Sequence, residues 1–221
     1  MTSFQIKSIA CLLMLIDHVG AILFPALVWP RVVGRIAFPL FAWLLANSWQ
    51  HTSSRFRYIC RLLTFAFLSQ IPYLLAFQPD LWRWNIFVSL SAGFISLAWI
   101  DKRPGWLGWS GVAFFALLSE WLSFDHGAYA IATIVCFGNF RGSFQEMAAA
   151  QVVLVGLRQA IVYSLAWFEF FSFTEWWVWA QPIALSALLI IFCYNGRRGF
   201  ASKYAFYCFY PVHLLLLYWL R

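Results

Sequence analysis

The chain has 221 residues, of which 63% are hydrophobic, 21% aromatic and only 10% charged, and its mean hydropathy is +0.76. A soluble domain carries about 25% charged residues, so this composition excludes a water-soluble globular fold and indicates a single integral-membrane domain over residues 1–221. The net charge of +7 would point to nucleic acid in a soluble protein, but most of the basic residues sit at the ends of apolar runs, where membrane topology accounts for them first, and no nucleic-acid partner is expected.

The pattern predicts an all-α, polytopic transmembrane helix bundle of about nine spans, with a range of about eight to ten, joined by short loops. The first span runs from about Ser8 to Phe24 with Asp17-His18 at its centre, and it leads directly into another apolar run, so it reads as a span and not as a cleavable signal. Pro25 and Pro30 bracket a turn. A second span opens at Gly34 and runs to about Trp49, with Pro39 in its first turns, where a helix tolerates proline or kinks. After the basic loop of Arg55 and Arg57 a third span covers Tyr58 to Phe77, with Arg61 near its start. A fourth is expected from Trp84 to Ile100, ended by Asp101-Lys102-Arg103-Pro104-Gly105, and a fifth from Trp106 to Phe124. The run from Ala128 to Phe140 is short for a crossing, which needs about 17–25 residues, so a tilted or partial helix is expected there. Met147 to Phe168, Trp176 to Tyr194 and Tyr204 to Leu220 complete the nine.

Loop charges set the orientation. With Lys7 cytoplasmic, alternate loops place Arg55, Arg57, Lys102, Arg103, Arg141, Arg197, Arg198 and Lys203 on the same side, against Arg31, Arg83, Glu169 and Glu175 on the other. The N-terminus is therefore expected in the cytoplasm and the C-terminus outside. Tryptophans such as Trp82, Trp84, Trp106, Trp109, Trp176, Trp177 and Trp179 gather near span ends as interfacial anchors. The five cysteines lie inside apolar runs at unrelated spacings, with no metal-type grouping, and read as packing residues.

An acid and a histidine inside an apolar helix carry an insertion cost of about 2.5–3.5 kcal/mol for a central charge, which makes Asp17-His18 the leading candidate for a reacting centre. The plainer reading is a polar clasp between helices. At 1.5 Å per residue His18 lies roughly 9 Å below the outer end of the first helix and His213 roughly 10 Å below Leu220, so the two histidines share a level. Arg35 enters from that same side, and Asp125-His126 lies at the outer end of the fifth span. Helix neighbours point about 100° apart, so Asp17 is expected to pair with Arg35 or to orient His213 across helices, and either histidine can serve as general base. On the cytoplasmic side Arg57, Arg61, Arg197 and Arg198 suit a polyphosphate such as that of coenzyme A, although topology alone accounts for most of them. Glu120 and Arg158 are expected to form a structural ion pair.

Six motifs in order then resemble the TraX family: Leu13 to Gly20 around Asp17-His18, Val32 to Ala42, Arg61 with Ser69-Gln70-Ile71-Pro72, Trp84-Asn85-Ile86-Phe87, Tyr194-Asn195-Gly196, and Phe209 to Leu214 around His213. This is a polytopic inner-membrane family named for the enzyme that acetylates the N-terminus of conjugative pilin. The resemblance implies an integral-membrane acyltransferase that uses acetyl-coenzyme A from the cytoplasm. It gives His18 the role of catalytic histidine, with Asp17, Arg35 and His213 in support. It also implies pilin as the acceptor, or else a small envelope acceptor, in contact with membrane lipid. His126 stands where an aromatic residue is expected. The rival class is a proton-coupled small-solute transporter relaying protons through Asp17, His18 and His213; the absence of an internal repeat weighs against it.

Overall fold

The structure, a computed structural model, describes residues 1–78, 82–103, 105–168, 179–200 and 203–221, apart from the Lys203 side chain. Helices lie under the predicted apolar runs: α1 (Ser3–Ile22), α2 (Val28–Gly34), α3 (Ala37–His51), α4 (Arg55–Phe77), α5 (Ile86–Lys102), α6 (Trp106–Trp121), α7 (Gly127–Asn139), α8 (Phe144–Trp167), a 3-10 turn (Gln181–Ser186) continued by α9 (Ala187–Phe192), and α10 (Lys203–Leu220). Four segments among the described residues are long and apolar enough to cross a membrane: α1, the α2–α3 unit Val28–His51, α4 and α8.

The distribution of polarity is that of a membrane protein. Large apolar side chains such as Phe67, Ile71, Leu117 and Leu157 are exposed on the exterior, whereas Ser69, Asn85, Ser89, Ser96 and Thr133 are fully buried. In water such a surface would drive aggregation; against lipid it is the stable arrangement.

Helix ends differ from the expected bounds for local reasons. A capping box in which Thr2 Oγ1 accepts from the Gln5 amide and Gln5 Oε1 accepts from the Thr2 amide starts α1 at Ser3, five residues before the expected Ser8. The expected second span is two helices. Pro39 has no amide to bond the Arg35 carbonyl, so the chain breaks at Arg35-Ile36 and resumes at Ala37. Arg61 stands well inside α4 and not near its start, because Ser54 caps that helix by accepting from the Arg57 amide.

The short seventh helix is the centre of the bundle. It packs against α3, α5, α6 and α8, and Ala130, Ile131 and Ile134 on it are fully buried. Glu120 Oε1 accepts from the Ala128 amide at 2.7 Å and so caps α7. The expected Glu120–Arg158 ion pair is replaced, because the N-terminus of α7 offers the carboxylate unpaired amides close by; the Arg158 guanidinium lies over the Tyr129 ring instead. Of the expected packing cysteines Cys11 is buried, while Cys60, Cys193 and Cys208 face the exterior. Trp82, Trp106, Trp109 and Trp179 are exposed; Glu169, Glu175, Trp176 and Trp177 lie outside the described residues, as does the Lys203 side chain.

Candidate functional site

Asp17 lies on the face of α1 that meets α2. Arg31 Nη1 donates to Asp17 Oδ2 at 2.6 Å and to the Asp17 backbone oxygen at 3.3 Å, and Arg35 Nη2 lies 3.4 Å from Oδ1. Arg35 is one of the two partners the sequence left open for Asp17. Arg31 was missed, although its spacing of four from Arg35 puts both guanidiniums on one helix face. The two helices approach this closely because Gly34 carries no side chain: a Cβ there would lie 2.3 Å from Asp17.

His213 does not meet Asp17. It meets His18, and the two contacts of the pair determine where the protons sit. His213 Nδ1 is 2.7 Å from the Phe209 backbone oxygen. A carbonyl only accepts, so Nδ1 carries the proton, and in the neutral ring Nε2 is an acceptor. His18 Nδ1, 2.7 Å from that nitrogen, therefore donates. The ring centroids are 5.0 Å apart at an interplanar angle of 12°, which is a head-on hydrogen bond and not a stack. This order leaves His18 Nε2 without a proton, 4.0 Å from Asp17 Oδ2, too far for a hydrogen bond.

His18, Asp17 and Arg35 line a chamber of about 50 Å³ with Phe38, Asp125 and His126. Two carboxylates thus face two guanidiniums, counting Arg31 behind Asp17, and the cluster is formally neutral. His126 takes the place of the expected aromatic: its ring lies 4.4 Å from that of Phe38 at 26°, and burial pushes its imidazole down to about 4, so the ring is neutral. It holds a left-handed backbone, φ 61°, which costs energy outside glycine and is concentrated at functional sites.

A second and larger cavity, about 570 Å³, opens towards the end of the bundle where α1 starts. Lys7, Arg61 and Arg198 line it, with His51 and Tyr58, and no carboxylate does so among the described residues. The Arg61 Nε is buried without a hydrogen-bond partner, its guanidinium over the Tyr58 ring. Three cations with no counter-charge and an unsatisfied buried donor are the features of an anion site. Of the four arginines expected to bind polyphosphate, Arg61 and Arg198 are there; Arg57 and Arg197 are exposed and do not line the cavity. Arg57 is bound into the first turn of α4, and the Arg197 carbonyl is taken by the Ser3 amide at 2.9 Å. Lys7 was missed, although Ser3, Lys7, Met14 and His18 fall within about 60° of arc on one helix. Among the described residues no group of three His, Cys, Asp or Glu side chains gathers as a metal site.

A family model described as "TraX protein" matches residues 3–221. The chain is 28% identical to "Probable fimbrial assembly protein FimC, serogroup H1" of Dichelobacter nodosus, over 98% of this chain and 94% of that one. It is 30% identical to "Protein TraX" of Escherichia coli, over 72% of this chain, and spans 64% of that relative's length. For "Protein TraX" of strain K12 the identity is 31% with the same coverage. No solved structure matches the chain.

Proposed function

The chain belongs to the TraX family, and on that premise we propose that it is a membrane-embedded acetyltransferase, moving an acetyl group from cytoplasmic acetyl-coenzyme A to an acceptor at the outer face of the inner membrane. The observation that carries this reading is a cation-lined cavity, with no carboxylate among the described residues, that shares lining residues with the chamber of a histidine whose Nε2 is left as a base. The bundle crosses the membrane in nine spans, with Lys7, Arg61 and Arg198 at the cytoplasmic end and the Asp17-His18 chamber towards the outside. Their placement follows the loop charges.

Lys7, Arg61 and Arg198 would hold the phosphates of coenzyme A. From Lys7 to His18 is about 16 Å along α1, a distance suited to the flexible arm of that co-substrate. Bound acetyl-coenzyme A supplies a thioester carbonyl. His18 Nε2 takes the proton from the attacking amine or hydroxyl as its nitrogen or oxygen forms a bond to the acyl carbon. Arg35, which lines the chamber, stabilises the negative oxygen of the tetrahedral state. When the carbon–sulfur bond breaks, His18 gives the proton to the leaving thiolate, and no net charge is left in the chamber. His213 holds the His18 ring in its tautomer, and Arg31 holds Asp17, which in turn aims Arg35. The names of two relatives, a fimbrial assembly protein and TraX, support the N-terminal amine of a pilin-type subunit as the acceptor.

The test is transfer of radiolabelled acetyl from acetyl-coenzyme A in vesicles reconstituted with total envelope protein and lipid. Wild type labels a discrete acceptor, His18→Ala labels none, and coenzyme A raises the melting temperature of both. No label and no thermal shift with wild type would overturn the reading and favour a proton-coupled transporter.

A further inference from the structure

The turn that joins α6 to α7 is strained and firmly held. Ser123 and His126 both take left-handed backbone conformations, φ 54° and 61°, and Gly127 follows at 49°; outside glycine such conformations persist only where the surroundings impose them, and they concentrate at functional sites. The Trp84 amide donates to the Ser123 oxygen at 3.3 Å and the Asp125 amide to the Trp84 oxygen at 3.0 Å, while the Ser89 hydroxyl donates to the Asp125 backbone oxygen. Both backbone polar groups of Asp125 are thereby fixed to α5 and the residue just before it. Held in this way, Asp125 lines the chamber that holds His18.

The Asp125 carboxylate has no partner built for it. Asp17, the other acid of the chamber, contacts both Arg31 and Arg35, whereas Asp125 enters no ion pair, and its carboxylate no hydrogen bond, among the described residues. Arg31 is within electrostatic reach of it but bonds Asp17. A half-buried carboxylate with no counter-charge in contact is costly, and a cationic ligand removes that cost. Of the two substrates only the acceptor can bring the cation, because coenzyme A is anionic. The loop charges place this turn at the outer end of the bundle, the side from which the acceptor comes.

We propose that Asp125 is the residue that receives the acceptor, binding its primary ammonium and taking the first of the two protons that the nitrogen must lose. The proposal rests on the acyltransferase reading above and assigns it a further residue. When an ammonium R–NH3+ becomes an amide R–NH–CO–CH3, two protons leave the nitrogen, and the thiolate of coenzyme A takes up only one. His18 Nε2 holds one proton at a time. As the acceptor displaces water, desolvation favours the uncharged forms of an ammonium and carboxylate pair, and the first proton passes to Asp125. The neutral amine then forms its bond to the acyl carbon, its second proton goes to His18 Nε2, and the carbon–sulfur bond breaks with that proton delivered to the sulfur. Asp125 releases its own proton to water at the outer face, so ammonium and thioester give amide, thiol and one free proton. A hydroxyl acceptor has one proton to lose and no charge, and makes no such demand.

The experiment uses two short peptides that differ only at the N-terminus, one beginning with glycine and the other with glycolate, whose hydroxyl replaces the amine. Acetyl transfer to each from labelled acetyl-coenzyme A is followed in vesicles for wild type, Asp125→Asn, Asp125→Ala and Asp125→Glu, and total envelope protein is labelled in parallel and treated with alkaline hydroxylamine, which removes esters and leaves amides. Loss of one partner of a desolvated charge pair weakens binding by about 30-fold or more, so Asp125→Asn raises the KM of the glycyl peptide by that factor. The glycolyl peptide, as substrate or as competitive inhibitor, changes by about threefold or less, and the KM of acetyl-coenzyme A by about twofold or less. Asp125→Glu restores part of the preference for the amine. If neither peptide is a substrate, a hydroxylamine-stable envelope label that Asp125→Asn loses supports the proposal. It is overturned if a folded Asp125→Asn or Asp125→Ala keeps the glycyl KM within about twofold of wild type, if both peptides weaken equally, if the wild-type envelope label is removed by hydroxylamine, or if a stable label persists at the wild-type rate in Asp125→Asn. No transfer by wild type to any acceptor, with no thermal shift by coenzyme A, removes the acyltransferase reading itself and is distinguishable from all of these.

Discussion

Gly34 is the residue at which the geometry of the site is most exposed to a small change. A Cβ there would lie 2.3 Å from Asp17 Cβ and Oδ1, closer than atoms pack, so Gly34→Ala displaces either the carboxylate or α2. A shift of about 1 Å in a catalytic constellation costs about 100-fold in rate. The expected outcome is that Gly34→Ala transfers acetyl at about 1% of the wild-type rate while coenzyme A still raises its melting temperature, because the cation-lined cavity is untouched. A normal rate for a folded Gly34→Ala would show that the Asp17–Arg35 contact does not position the reacting groups. The candidate residues Asp17, His18, Arg35 and His213 were legible in the sequence because polar groups inside apolar helices are costly and few. Which way the proton points between the two histidines was not legible, since it depends on the carbonyl of Phe209, a partner with no sequence signature.

At the scale of the element, the path to His18 is built from helical stripes. One face of α1 supplies Ser3, Lys7, Met14 and His18, and α10 supplies Phe206, Tyr210 and His213 at intervals of three and four. The motifs at Ser69-Gln70 and Trp84-Asn85 have a different purpose. Asn85 is fully buried; its Nδ2 donates to the Ala66 oxygen and to Gln70 Oε1, both at 2.7 Å, and its Oδ1 caps α5 by accepting from the Phe87 amide at 3.0 Å. It clasps α4 to α5 beside Ile86, which lines both cavities. Asn85→Ala strands several buried partners at about 1–3 kcal/mol each. A loss of about 3 kcal/mol is therefore expected in equilibrium unfolding in mixed micelles, and a loss under about 1 kcal/mol would show that the clasp is relaxed or solvated.

Over the whole molecule, the two ends of the bundle differ in chemistry. The start of α1 binds the loop after α9, with the Phe4 amide on the Arg198 oxygen at 3.1 Å, and Arg55 at the start of α4 pairs with Asp101 at the end of α5 at 3.2 Å. These contacts gather the basic links at one end, away from Asp17, Arg31 and Asp125. With that end cytoplasmic, an impermeant maleimide applied to right-side-out vesicles labels Arg83→Cys and not Gly142→Cys, in a background lacking the five native cysteines. A Cβ at Gly142 meets open space, so that substitution leaves the fold alone. The reverse pattern would invert the orientation, and with it the side from which the donor enters.

Composition and periodicity by themselves determined that the chain is a helical membrane protein, where its apolar segments lie, and that Asp17-His18 is the candidate centre, because a helix satisfies its own backbone in lipid and every buried charge there is penalised. The tertiary structure alone decided the partners. Arg31 reaches Asp17 because the turn at residues 23–27 folds α2 back on α1, and Gly34 allows the approach. His18 meets His213 across 195 positions of sequence, and the side chains that line both cavities, Met14, Phe41, Ile86 and Tyr210, come from four helices. Such convergence follows from helix packing, which no local pattern of residues specifies.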